Sequence, residues 1–127
     1  MAGDVVEPIK NFLLQQVSDL MACGLQANRI VLDPGIGFGK TLTQNLSLLQ
    51  RQSELLTLGF PLLAGWSRKG SLGKITAIQG HAPEAQDRVG ASVAAALIAV
   101  QNGASVVRVH DVKETVQALR VWQALKN

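Results

Sequence analysis

Arg29-Ile30-Val31-Leu32-Asp33-Pro34-Gly35-Ile36-Gly37-Phe38-Gly39-Lys40-Thr41 is the stretch on which the fold turns. The run from Arg29 to Leu32 predicts a short strand, Asp33-Pro34 halts it, and the glycines form a loop before Thr41 or Thr43 caps a helix. The same succession recurs twice. Leu62-Leu63-Ala64 runs into Gly65-Trp66-Ser67-Arg68-Lys69, and a strand predicted over Ser105-Val106-Val107-Arg108-Val109-His110 runs into Asp111 and a further helix. Repeated strand, loop and helix imply a parallel sheet covered by helices, because parallel neighbours need crossover connections.

Outward from these units, Val6, Ile9, Leu13, Val17 and Leu20 recur at helical spacing from Val5 to Cys23, with Pro8 in the first turn and Gly24 as a stop. Leu46, Leu49 and Leu56 predict one helix from the glycine loop to near Gly59, and Pro61 restarts an extended segment. After Lys69 come a helical turn, a Gly80-His81-Ala82-Pro83 loop, and an alanine-rich helix from about Glu84 to Asn102, closed by Gly103. Val112 to Lys126 supplies the last helix, with Val116, Leu119, Trp122 and Leu125 on one face. A doubly wound sheet and an eightfold barrel both fit this order. Polar chemistry at the end of every strand favours the barrel, in which all the βα loops share one mouth. Such barrels take about 250 residues, so 127 residues make roughly half of one.

With 47% hydrophobic residues the chain can bury one core. Its net charge of +3, from 12 basic and 9 acidic residues, comes without a basic run or interleaved aromatics, which argues against nucleic acid and fits a small anionic substrate. Cys23 stands alone, so no internal disulfide forms, and Met1-Ala2-Gly3-Asp4 lacks the regions of a signal peptide, making the cytoplasm the expected location. The most apolar stretch, Ala91 to Val100, is interrupted by Ser92 and far shorter than the roughly 20 residues of a membrane span.

The glycine loop misses the phosphate-loop pattern, which would need glycine where Pro34 stands, and misses the dinucleotide spacing, since Lys40 and Leu42 occupy the third glycine positions. Its plainer reading is a turn capped by Asp33. Ser67-Arg68-Lys69 leads into a helix start, where cations are mildly unfavourable by about 0.3–1 kcal/mol. Two cations placed there point to an anionic partner. Arg108 and His110, two apart, face one side of an extended chain, and a guanidinium fork matches phosphate geometry. The competing reading pairs Arg108 with Asp111 or Asp33. His81 reads as solvated loop, and Trp66 and Trp122 as core.

Leu32-Asp33-Pro34-Gly35-Ile36-Gly37-Phe38-Gly39-Lys40, Gly65-Trp66-Ser67-Arg68-Lys69 and Arg108-Val109-His110-Asp111-Val112 together resemble, in order and spacing, the last three strand-end motifs of the dihydropteroate synthase family. The resemblance implies an α/β fold of parallel β/α units forming the C-terminal part of a TIM (β/α)8 barrel, with residues 1–127 a partial pterin-binding domain. It implies a folate-pathway transferase that joins 6-hydroxymethyl-7,8-dihydropterin diphosphate to para-aminobenzoate and releases pyrophosphate. Asp33 would accept from the pterin's amino and ring N–H groups, and Lys69 would donate to its carbonyl and ring nitrogen. Arg108 and His110 would bind the leaving diphosphate, Phe38 would wall the aminobenzoate ring, and Gly65, Ser67 and Arg68 would complete the substrate surface. Lys69, Arg108 and His110 are the candidate catalytic residues. Magnesium would be held by an asparagine on a strand with no counterpart here, leaving no metal ligand in this chain, and the full-length family member would be a homodimer.

Two departures stand out. Many family members carry serine after the motif lysine, whereas Gly70 leaves backbone N–H groups or Ser71 to meet the aminobenzoate carboxylate. The first strands of the family are also missing, which predicts a C-terminal fragment or one part of a longer protein, with an apolar sheet edge open to pairing. Two other functions compete: an incomplete fragment acting only as a pterin-binding or self-associating module, and a pterin-dependent methyltransferase, against which the Arg68-Lys69 and Arg108-His110 cations speak.

Overall fold

A computed structural model describes residues 4–126; the opening Met1-Ala2-Gly3 read above lies outside them. The elements run α1 (Val6–Ala22), α2 (Leu42–Gln50), β1 (Leu62–Ala64), α3 (Gly70–Ile75), α4 (Val89–Gln101), β2 (Ala104–Val107) and α5 (Val112–Lys126). β1 and β2 pair in parallel, and Leu32 forms a single parallel bridge to Leu62 on the other side of β1. The three strand segments therefore lie in chain order and one direction, so the loops that follow them leave the sheet on the same side.

The predicted first strand shrinks to that one bridge. Ala27–Arg29 is a 3-10 turn instead. Leu32 N–H donates to Pro61 O, and Leu32 O accepts from Leu63 N–H, both at 2.8 Å. The next donor on that side of the strand belongs to position 34, and Pro34 has no N–H, so the ladder stops. The third strand also ends early, at Val107, because its partner β1 ends at Ala64; Arg108 N–H still reaches Ala64 O at 3.0 Å. Arg108 and His110 consequently sit on a loop rather than on the strand predicted for them.

The helices depart from expectation for similar local reasons. Thr41 is the cap of α2, in a reciprocal capping box with Gln44, but the helix breaks after Gln50 and Gln52–Leu58 continues as 3-10 turns. Gln52, 3% exposed, turns inward and donates to Ala99 O and Asn102 O at the end of α4. α4 starts at Val89, later than expected, because Arg88 is drawn aside to donate to Pro83 O and Arg68 O. Gly103, at φ +102°, ends the turn after α4 where a Cβ would lie 2.5 Å from Leu56 Cδ1.

One core cluster gathers Val6, Leu13, Leu32, Leu48, Leu55 and Leu62 with Trp66 and the small faces of α4. It matches the inward stripe predicted for α1, except that Leu20 stays 44% exposed. The last helix differs most. On α5 only Thr115 is buried; Val116 and Leu125 are exposed, and Trp122 is half-buried with the Lys126 ammonium 4.4 Å from its ring centre. No helix is long and apolar enough to cross a membrane among the described residues.

Candidate functional site

The loops leaving Leu32, β1 and β2 meet at one rim, and Lys69 is its hub. The Lys69 ammonium crosses from the β1 loop to donate to Ile36 O on the glycine loop and lies 4.9 Å from the Phe38 ring centre. The crossing needs glycine at position 37. Gly37 holds φ +85°, and a Cβ there would lie 3.1 Å from Lys69 Cδ; a Cβ on Gly65 would meet Lys69 Nζ at 3.7 Å and Arg108 Cβ at 3.9 Å. Burial pushes the Lys69 ammonium below its ordinary pKa, Asp33 pulls it back up, and Arg108 and Lys40 push it down again. Asp33, Phe38, Gly65, Lys69 and Arg108 are thus brought together.

Asp33 is exposed and uses one carboxylate oxygen to accept from Gly35 N–H at 2.8 Å, an Asx turn. Lys40 donates inward to Gly35 O at 2.9 Å and Phe38 O at 3.3 Å, so it braces the loop it belongs to. Burial lowers its pKa, against the pull of Asp33. Arg108 is exposed, and its guanidinium has no hydrogen-bond or ion-pair partner among the described residues. His110 is exposed as well and is tied to Ser67: Ser67 Oγ lies 2.8 Å from His110 Nδ1 and accepts His110 N–H at 3.0 Å.

Arg68, not Arg108, takes the acidic partner. Its fork closes on Asp111, Nη2 to Oδ1 at 2.8 Å and Nε to Oδ2 at 3.3 Å. Arg68 is also held at φ +57°, with its N–H on Ser92 Oγ at 2.8 Å and its carbonyl on Arg88 Nη1 at 2.8 Å. The guanidinium predicted for the substrate surface is therefore occupied within the chain, joining the β1 loop to the β2 loop. These hydrogen bonds hold the Asp111 carboxyl below its ordinary 3.8. A depressed carboxyl stabilises the fold above its unfolded pKa, and that contribution fades as pH falls through the lower folded value. Asp111→Asn is expected to be less stable than the parent at neutral pH, the gap closing in acid below about pH 4. Urea titrations at neutral and acid pH check this; a gap that persists unchanged into acid contradicts it.

Asn45 escaped the sequence reading. It is 1% exposed on α2, accepts Gly37 N–H at 3.1 Å and donates to Ser71 Oγ at 2.9 Å, so it pins the glycine loop to α3. The available signal was an amide among Leu46, Leu48 and Leu49, a polar residue in a stripe of apolar ones. Ser71, the side chain that could stand in for the hydroxyl missing at Gly70, is 8% exposed and its Oγ accepts from Asn45.

The chain is 48% identical to dihydropteroate synthase of Neisseria meningitidis serogroup B over 125 residues, 96% of this chain and 42% of that protein. It is 40% identical to the Escherichia coli K12 enzyme over 121 residues, 95% of this chain and 41% of that protein. It superposes on dihydropteroate synthase from Stenotrophomonas maltophilia, solved with active-site-bound imidazole, with TM-score 0.93 and 47% identity, covering 99% of this chain and 46% of that one. The Xanthomonas albilineans enzyme in complex with 7,8-dihydropteroate gives TM-score 0.93 and 43% identity over 99% of this chain and 47% of that one. The chain spans less than half the length of these relatives. The family described as pterin binding enzyme matches residues 1–110. A match over residues 1–110 of the 127, from α1 to His110, makes this chain a member of the pterin binding enzyme family.

Proposed function

We propose that the chain is the C-terminal part of a TIM (β/α)8 barrel, and that the whole protein is a dihydropteroate synthase. Three parallel strand segments in chain order, each followed by a loop and a helix, support the barrel. The carrying observation for the activity is Lys69, held between Asp33, Phe38 and Arg108 by its bond to Ile36 O. A planar heterocycle with a donor edge and an acceptor edge suits a carboxylate beside an ammonium: Asp33 accepts from the pterin amino and ring N–H groups, and Lys69 donates to its carbonyl and ring nitrogen. Arg108 and His110 face the diphosphate. The aminobenzoate nitrogen bonds to the methylene carbon, the carbon–oxygen bond breaks with its electron pair leaving on the diphosphate, and the amine releases a proton to water. Cations beside the departing oxygens lower that barrier.

Phe38, 73% exposed, is suited to wall the aminobenzoate ring. Ser67, Arg68 and the first turn of α3 lie near its carboxylate in this reading, Arg68 acting through the loop it holds. The proposal puts the protein ligand of magnesium outside this chain. The cytoplasmic location and the homodimer of the full-length protein belong to the same proposal.

Calorimetric titration with 6-hydroxymethyl-7,8-dihydropterin diphosphate, with and without magnesium, tests the reading. Saturable heat without turnover is expected of this chain alone. A folded chain that gives no saturable heat at millimolar ligand refutes the pterin site. The solvated apolar stripe of α5 and Val31, 51% exposed on the strand segment that ends at Leu32, favour a second reading, a self-associating module without catalysis. Size-exclusion chromatography separates the two: concentration-dependent oligomers with no pterin heat uphold the second.

A further inference from the structure

We propose that Ser67 is a positioning residue that fixes the tautomer of His110, holding the outward ring nitrogen, Nε2, as an N–H donor. Ser67 follows β1 and His110 follows β2, so the pair straps two neighbouring loops across 43 residues of sequence. Ser67 is 7% exposed, and its Oγ has two neighbours on His110: the backbone N–H at 3.0 Å and ring Nδ1 at 2.8 Å.

Donor counting settles the direction of the second bond. The His110 backbone N–H can only donate, so Oγ accepts from it. The hydroxyl has one hydrogen of its own, and His110 Nδ1 is its hydrogen-bonding neighbour among the described residues. If Nδ1 carried the ring proton, both neighbours would donate to Oγ and the hydroxyl hydrogen would be left in a buried setting without an acceptor. With Nδ1 unprotonated, the backbone N–H, the hydroxyl hydrogen and Nδ1 are each satisfied. The ring proton then resides on Nε2, and the neutral imidazole of this exposed residue offers it as a directed donor.

The consequence for ligand binding rests on the diphosphate reading above. A neutral ring held in this way donates to a phosphate oxygen without first gaining a proton. His110 therefore does not need to be charged to help hold the leaving group.

Long-range proton–nitrogen NMR of the imidazole rings tests the proposal on the chain as it is, at about pH 8.5, two units above the usual histidine range. The chain has 2 histidines, and His81, exposed in its loop, serves as the freely averaging reference. Expected for His110 is the pure Nε2–H pattern, with Nδ1 shifts beyond those of His81. Ser67→Ala is expected to move His110 to the averaged pattern of His81, and Ser67→Thr, which keeps the hydroxyl, to retain the pure one. A wild-type His110 spectrum that averages like His81, or that shows Nδ1–H, overturns the proposal without recourse to any variant. Titration with inorganic pyrophosphate adds the functional arm. Ser67→Ala is expected to bind it several-fold more weakly than wild type and Ser67→Thr. A fixed Nε2–H ring in a chain that does not bind pyrophosphate upholds the tautomer and overturns the diphosphate reading instead.

Discussion

Leu62→Ala is expected to lower the free energy of unfolding by about 2–5 kcal/mol. Leu62 is fully buried, 0% exposed, and lies on β1, the strand that carries neighbours on both sides: Leu32 bridges it on one edge and Ala104 pairs with it on the other. Truncation removes the apolar transfer energy of the side chain and leaves a cavity where backbone pairing restrains collapse. Domains of this size have about 5–15 kcal/mol in total. The loss therefore consumes a large share of the margin, and the loops that carry Lys69 and Arg108 lose the sheet that aims them. A urea midpoint followed by circular dichroism measures the effect. Leu125→Ala, on a side chain 83% exposed, is the control and should stay within about 0.5 kcal/mol of the parent. Equal, small losses for the two variants would mean that β1 is not the centre of the fold.

How far this architecture was legible depends on where the information sits. Two of the strand ends were readable because Asp33-Pro34 and Gly65 each interrupt an apolar run, and turn chemistry is local. Strand lengths were not, since the ladder ends where a partner donor is missing: Pro34 on one side of β1, the end of β1 itself for β2. The cations of the rim were readable as residue types, but their assignment was not. Arg68 and Arg108 are equivalent in composition, and only the backbone of Arg68, turned to φ +57° and held by Ser92 and Arg88, swings its fork onto Asp111 and leaves Arg108 outward. Asn45 is the same lesson in the core. Its partners, Gly37 and Ser71, are 8 and 26 residues away, so no local pattern announces the bond that joins two loops of the site. The apolar stripe of α5 was legible as a stripe; whether it is covered depends on surfaces that periodicity does not report.

Lys69→Met is expected to weaken pterin diphosphate binding by about tenfold to a hundredfold, the worth of one charge-assisted hydrogen bond. Methionine keeps the length and much of the packing of the lysine stem but cannot donate to the pterin carbonyl or to Ile36 O. Lys69→Arg should not restore affinity. A guanidinium is planar and wider than an ammonium, and the stem already passes 3.1 Å from where a Cβ would sit on Gly37. Lys74→Met, on the exposed side of α3, provides the charge-matched control and should leave affinity unchanged. The pH dependence adds a second signature. Because burial depresses the Lys69 pKa, its charge is lost as pH rises through a value below the ordinary 10.5, so affinity should fall on the alkaline side earlier than an unperturbed lysine dictates. The effect must vanish in Lys69→Met, whose residual binding has no lysine at that position to titrate. Calorimetry across the alkaline range reads both outcomes at once: an alkaline decline that survives the substitution assigns it to another group, and affinity equal to that of Lys74→Met removes Lys69 from the pterin site.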